Sequence, residues 1–369
     1  MKKLLKVFTA FVLCAAICAG SASACVIFPV GRIDKVGSTL EIVEETEDSV
    51  TIRKTDSAPF KILMFTDTHL ATPTQRDPMK AQRKTIEEIV KNVTREKPDL
   101  VLVGGDNVTS NFNRMRSHQF ARIFEKLGVY WGGVIGNHEG DQALSIRRDT
   151  MVKIFSSYDH CLMRQGKADV DGNCNYTIRI LNADGSLKHA FVCFDSFDEM
   201  SDEMKKEHGY DPSEGVYDVI KQSQIDWYTS QIASMKQEFG KCPSSVLLHI
   251  PLTQYADAYD LVEKGELRLL WGDKRENICC GGFDSGLFDA ILASGCTKAV
   301  FCGHDHTNNF GVEYKGIVLT YIQQSGYGTG GLFKKGIPES EWWQGYTRLT
   351  LADDGTFTHE QFRNNAIGA

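Results

Sequence analysis

Lys61-Ile62-Leu63-Met64-Phe65-Thr66-Asp67-Thr68-His69 is a short apolar run that breaks into a polar cluster at its carboxyl end. A strand buried on both faces reads as a continuous apolar run rather than an alternation, and residues 61–65 fit that pattern. The same signature returns at residues 100–103, 129–135, 245–248 and 298–302, each run ending in polar or glycine residues. Between these runs, residues 79–97 space Ile86, Ile89, Val90 and Val93 at helical intervals, and residues 222–239 do so with Ile225, Tyr228, Ile232 and Met235. Strands alternating with helices predict an α/β core. Residues 175–181 and 190–194, and the pair 346–351 and 356–362 split by Asp353-Asp354-Gly355, read as antiparallel strands, so mixed sheets are expected.

With 369 residues, 42% hydrophobic and 24% charged, the chain has the profile of a folded protein and can bury a large core without cross-links. No repeat or Pro/Ser-rich linker divides it. Residues 1–24 carry Lys2, Lys3 and Lys6, an apolar stretch over 7–18 and the small residues Ala22-Ser23-Ala24, the three-part layout of a secretory signal. The expectation is an exported protein, whether secreted, periplasmic or at the cell surface, with lipoprotein anchoring through Cys25 as an alternative fate. No other run is long and apolar enough to predict a transmembrane segment in the mature chain. Losing three lysines shifts the formal charge from −7 to near −10, which disfavours a polyanionic partner such as nucleic acid. Oligomeric state is not legible in the sequence. Cys161, Cys174, Cys193, Cys242, Cys279, Cys280, Cys296 and Cys302 are an even set in an exported chain, so some disulfides are expected. The absence of a Cys-x-x-Cys pair argues against a thiolate zinc site.

Chemistry gathers where the predicted strands end. Asp67-Thr68-His69, Gly104-Gly105-Asp106-Asn107, Gly136-Asn137-His138-Glu139, His249 and Gly303-His304-Asp305-His306 each follow one of the apolar runs. Open α/β sheets bind ligands beyond the carboxyl ends of their strands. Singly, a histidine there is usually a hydrogen-bonded packing residue and Gly-Asp usually a turn. A structural account must explain why carboxylates, imidazoles and a carboxamide all fall on corresponding strand ends. Asp-x-His and His-x-His also place ligands two residues apart, where they can converge on one ion or on neighbouring ions.

This ordered set, spanning roughly residues 61–310, resembles the calcineurin-like metallophosphoesterase family. His249-Ile250-Pro251-Leu252 and Asp284-Ser285-Gly286-Leu287-Phe288 further resemble its small secreted branch related to purple acid phosphatases. The resemblance implies a four-layer α/β/β/α sandwich of two mixed β-sheets flanked by helices; the strand-like pieces at residues 40–43 and 50–53 predict that residues 25–60 add N-terminal edge strands of the same domain to a catalytic domain over 61–369. It implies two divalent or trivalent metal ions drawn from Fe, Mn or Zn: Asp67, His69 and His306 on the first, Asn137, His249 and His304 on the second, and Asp106 bridging both. Such a pair shares a hydroxide nucleophile for in-line displacement at phosphorus. His138 is then the candidate general acid, and Glu139 a candidate for orienting His138 or an outer ligand partner. The implied activity is hydrolysis of a small phosphorylated substrate, a phosphomonoester first. Alternatives are a phosphodiesterase acting on nucleotides or lipid head groups, or a non-catalytic metal- or phosphate-binding protein on the same fold. One position departs from the purple enzymes, which carry a Tyr ligand three residues after the bridging Asp; here it is Thr109. Asn107 and Tyr327 are candidate pocket residues. Trp342-Trp343 reads first as packing. The triplets at Asn92, Asn107 and Asn175 read as chance matches to a glycosylation signal.

Overall fold

The computed structural model describes residues 33–56, 58–71, 78–329 and 338–366, so the expected signal segment and Cys25 lie outside the described residues. The chain runs β1 (Leu40–Glu45), β2 (Ser49–Lys54), β3 (Phe60–Phe65), α1 (Pro78–Glu96), β4 (Leu100–Gly104), α2 (Asn113–Leu127), β5 (Tyr130–Val134) and α3 (Arg148–Ser156). It continues with β6 (Tyr176–Leu181), β7 (Leu187–Cys193), α4 (Asp202–Glu207), α5 (Gln222–Phe239), β8 (Ser244–Leu247), α6 (Gln254–Glu263) and β9 (Leu269–Trp271). The last elements are α7 (Leu287–Ser294), β10 (Thr297–Cys302), β11 (Gly311–Tyr314), β12 (Ile317–Tyr321), β13 (Gly345–Leu351) and β14 (Phe357–Arg363). Every apolar run read as a strand is one, with ends shifted by a residue or two.

These strands make two mixed sheets, a nine-stranded one in the order β1-β2-β6-β7-β8-β10-β12-β11-β9 and a five-stranded one in the order β14-β13-β3-β4-β5. In the smaller sheet β3, β4 and β5 are parallel, with Phe65 opposite Val103 and Val103 opposite Gly133, so their carboxyl ends lie level. In the larger sheet β8 and β10 are parallel, with Leu247 opposite Phe301. Thr66 bridges to Gln324, just beyond β12, which fastens the two sheets together at that end.

The sheets face one another and helices cover their outer sides, giving the expected four layers. Phe120 and Phe124 of α2 pack with Trp131 of β5 and Phe155 of α3 outside the small sheet. Outside the large sheet, Ile225, Tyr228 and Ile232 of α5, Tyr255 of α6 and Leu287 and Phe288 of α7 share a core with Val192, Val246, Val300 and Leu319. Between the sheets, Phe301 of β10 meets Phe357 of β14 with ring centroids 5.9 Å apart.

Gly132-Gly133 in β5 lets both the opposing sheet and the neighbouring strand β4 come close. A Cβ on Gly132 would lie 3.0 Å from Ile178 Cδ1 of the opposing sheet, and one on Gly133 would lie 2.1 Å from the Val103 carbonyl oxygen. Gly133 has φ +133°, a backbone conformation that excludes a side chain. The Tyr176 hydroxyl, reaching across from β6, accepts from the Gly133 N–H at 2.8 Å and donates to its carbonyl at 3.0 Å.

All eight described cysteines are free thiols, against the expected disulfides. Most are buried strand or loop residues that pack as small apolar groups. Among the described residues no helix is long and apolar enough to cross a membrane. Asn92, Asn107 and Asn175 are all buried, out of reach of a glycan.

Candidate metal centre

The level strand ends deliver the polar clusters to one place. Asp67, His69, Asp106 and His306 offer ligand atoms all within 4.8 Å of one another, and so do Asp106, His249 and His304. Asp106 belongs to both groups. Its Oδ2 lies 3.3 Å from His69 Nε2 on one side and 3.3 Å from His249 Nε2 on the other. Its Oδ1 is already taken, accepting from the His138 backbone N–H at 2.9 Å. Asn137 joins the second group, its Oδ1 3.1 Å from His249 Nε2. The structure therefore gathers every residue of the expected ligand set into two pockets that share one carboxylate oxygen.

The donor set fits cations. His69 Nε2 and Asp106 Oδ2 are buried without a well-formed hydrogen bond, a costly arrangement for polar atoms unless something else completes them. The backbone is also held against its preference here: Asp67, His69, Asp106 and His304 all have positive φ, at 53°, 44°, 50° and 76°. Strain of that kind persists where the surroundings over-determine it and clusters at functional sites.

Outer partners orient the imidazoles. His249 Nδ1 donates to the Gly104 carbonyl at 2.7 Å, and His69 Nδ1 pairs with the Thr109 hydroxyl at 2.8 Å, so both turn Nε2 toward Asp106. Thr109, the position at which the purple enzymes carry a Tyr ligand, thus acts behind His69. Asp67 accepts from the Thr66 hydroxyl at 2.8 Å and from the His304 N–H at 3.2 Å.

The electrostatics are those of a cluster in need of positive charge. Burial raises the Asp106 carboxyl, but His249, His69 and His138 together reverse this and hold it well below its ordinary range. Burial lowers His249, but the Asp106 carboxylate, together with Asp67 and the Gly104 carbonyl, outweighs that and lifts it to about 9. Burial and then His249 push His304 down to about 3. The two neighbouring imidazoles, with ring centroids 5.2 Å apart, are thus pushed in opposite directions, His249 toward holding a proton and His304 toward shedding it. Cation binding requires both to offer lone pairs, so it displaces that proton.

His138 sits at the rim, its side chain 39% exposed and its Nδ1 2.5 Å from Asp141 Oδ2. Its orienting partner is therefore Asp141 and not Glu139. Glu139 is fully buried and joins two loops instead: Oε1 accepts from the Asn107 and Val108 N–H groups at 2.5 and 3.4 Å, and Oε2 from the Gly136 N–H at 2.8 Å. Burial, then the Asp106 charge, raises Glu139 to about 7. Asn107 is buried and donates to the Val134 carbonyl, and Tyr327 packs on Trp342, so neither candidate pocket residue joins the cluster. Trp343 has the packing role expected, donating to the His306 carbonyl at 3.0 Å. Asp141 and Tyr217, whose ring stands edge-on to His304 with centroids 4.5 Å apart, carried no motif that pointed to them.

The sequence model of the calcineurin-like phosphoesterase family matches residues 60–308. The chain is 29% identical over 297 residues to an Arabidopsis thaliana protein named probable inactive purple acid phosphatase 14, with 73% of this chain and 71% of that one aligned. It is 26% identical over 313 residues to probable inactive purple acid phosphatase 29 of the same plant, covering 78% of this chain and 77% of the relative. A solved dimetal phosphatase from Danio rerio superposes with a TM-score of 0.52 at 13% identity, over 82% of this chain and 96% of that one, a likeness of fold. With two thirds of its length in that family match and the ligand pattern complete within it, the chain belongs to the calcineurin-like phosphoesterase family.

Proposed function

We propose that this protein is an exported, dinuclear-metal phosphomonoesterase. The observation that carries the reading is Asp106 Oδ2, a single buried oxygen set between two imidazole-lined pockets. Asp67, His69, His306 and Asp106 would hold one cation, and Asn137, His249, His304 and Asp106 the other, with Fe, Mn or Zn suited to such nitrogen and oxygen donors. When bound, the cations supply charge neutralisation at the phosphoryl group and activation of water for in-line displacement. The protein's own part is to exclude solvent from the ligand side chains, fix their ring orientations and place a proton donor at the rim. His138, with Nδ1 engaged by Asp141, presents Nε2 to the departing oxygen and protonates it as the phosphorus–oxygen bond breaks. Export rests on the three-part layout of residues 1–24, with acylation at Cys25 as the alternative fate of the mature end.

A non-catalytic reading has its own support, because the aligned plant relatives are named probable inactive. The complete ligand set and the retained His138 favour catalysis. Steady-state assays of Mn-, Fe- and Zn-reconstituted protein on aryl and alkyl phosphomonoesters, phosphodiesters and nucleotides decide among them. The proposal expects the highest kcat/KM on phosphomonoesters. A diester preference would transfer the protein to the phosphodiesterase reading, and no turnover of any ester would leave only the binding one.

A further inference from the structure

Tyr217 is held in a small ribbon beside the metal centre. Met200 N–H donates to the Val216 carbonyl at 2.8 Å, Asp218 N–H to the Asp198 carbonyl at 2.9 Å and Gly282 N–H to the Tyr217 carbonyl at 3.0 Å, so segments around 199, 217 and 281 pair side by side. The ribbon is braced from outside: Tyr210 donates to the Gly282 carbonyl, and His208 stacks on Phe283 with centroids 3.8 Å apart. A Cβ on Gly282 would come within 2.6 Å of Val216 Cγ1, which shows how tightly the segments pack.

Tyr217 is thereby fixed through its backbone and through the edge-on contact of its ring with His304. Its hydroxyl is the part left uncommitted: the residue is half-buried, and the hydroxyl has no hydrogen-bond partner among the described residues. Arg148, whose guanidinium reaches the turn after β5, is engaged by Asp195 and by the Gly136 carbonyl. The protic groups at the cluster then flank different pockets. His138 stands beside His69 of the first, with ring centroids 5.4 Å apart, and Tyr217 beside His304 of the second. In an in-line displacement the leaving oxygen departs along one direction while the non-bridging oxygens spread around phosphorus, so donors on separate sides serve separate oxygens.

We infer that the Tyr217 hydroxyl donates a hydrogen bond to a non-bridging oxygen of the substrate's phosphoryl group, making it a substrate-binding residue at the second pocket. The inference rests on the phosphoesterase reading of the site. Y217F keeps the ring against His304 and removes only the hydroxyl, whereas Y217A removes both. Calorimetric titration of metal-loaded protein with inorganic phosphate, alongside metal content and phosphomonoester kinetics, tests it. Loss of a hydrogen bond to a charged group predicts phosphate affinity about tenfold or more weaker in Y217F. KM rises with it, metal content is unchanged, and kcat/KM falls equally for good and poor leaving groups. Wild-type phosphate affinity in Y217F overturns the inference while leaving the phosphoesterase reading intact, even if Y217A is impaired, since the residue would then act only by packing. Failure of metal-loaded wild-type protein to bind phosphate overturns both.

Discussion

Asp106 divides its two oxygens between tasks, one fixed by the His138 N–H and the other turned to two imidazoles. The same economy recurs at His138, whose Nδ1 is committed to Asp141 so that Nε2 is free for chemistry. Replacing Asp141 with Asn should leave metal content unchanged and lower kcat for alkyl phosphates about tenfold or more, with a smaller loss for aryl phosphates that need little protonation. Equal loss on both ester classes, read from steady-state rates, would count against the Asp141–His138 pair. Gly133 makes a stability prediction at the same scale. A methyl group there would meet the Val103 carbonyl and force φ out of its native region, so G133A should lose roughly 2–4 kcal/mol in denaturant unfolding. The ligands themselves were legible because each sits directly after an apolar run. Asp141 and Tyr217 were not, because nothing local marks them: Asp141 is one of many carboxylates, and Tyr217 meets His304 only once a distant ribbon has folded over the strand ends.

Loops, rather than strands, carry the ligands, and Glu139 ties two of those loops together. Its carboxylate spans the turn after β4 and the turn after β5 by accepting backbone N–H groups from both. An alanine in its place leaves those donors buried and unpaired and frees Asp106 and Asn137 to move independently. E139A should therefore weaken metal binding by roughly ten- to a hundredfold in competition with a chelating dye, and an unchanged affinity would show that the loops hold their shape unaided. Strands were the readable elements because burial on both faces writes itself as unbroken apolar runs. The helices α2, α6 and α7 gave weaker signals. Phe120 and Phe124 of α2 face Trp131, yet Phe112 before it and Met115 within it are exposed and blur the helical stripe.

At the scale of the molecule, function depends on two sheets meeting so that five strand ends share one rim. His189 helps join them, with Nδ1 3.0 Å from the Gly355 carbonyl of the β13–β14 turn and Nε2 3.0 Å from the Ser245 hydroxyl of β8. Burial pushes its pKa down to about 4, against about 6.5 in the unfolded chain. Above pH 6.5 both states are neutral and His189 contributes nothing to the pH dependence. As pH falls from about 6.5 to about 4 the unfolded chain gains a proton that the folded one refuses, so stability declines, by roughly 3 kcal/mol once pH is below 4. H189Q should flatten that part of the stability–pH curve, measured by urea unfolding at a series of pH values; an unaltered slope would contradict the assignment. The four-layer arrangement was foreseen through the family resemblance, whereas the pairing order of nine strands rests on contacts far apart in sequence that no local pattern encodes.

The central claim is that one carboxylate serves two cation pockets. Metal stoichiometry measured by inductively coupled plasma mass spectrometry after reconstitution and desalting tests it most directly, on wild-type protein and on D106A. The account predicts two ions per chain in the wild type and, in D106A, occupancy reduced at both pockets together. A wild type that retains fewer than two ions, or a D106A variant that still holds two, would contradict it.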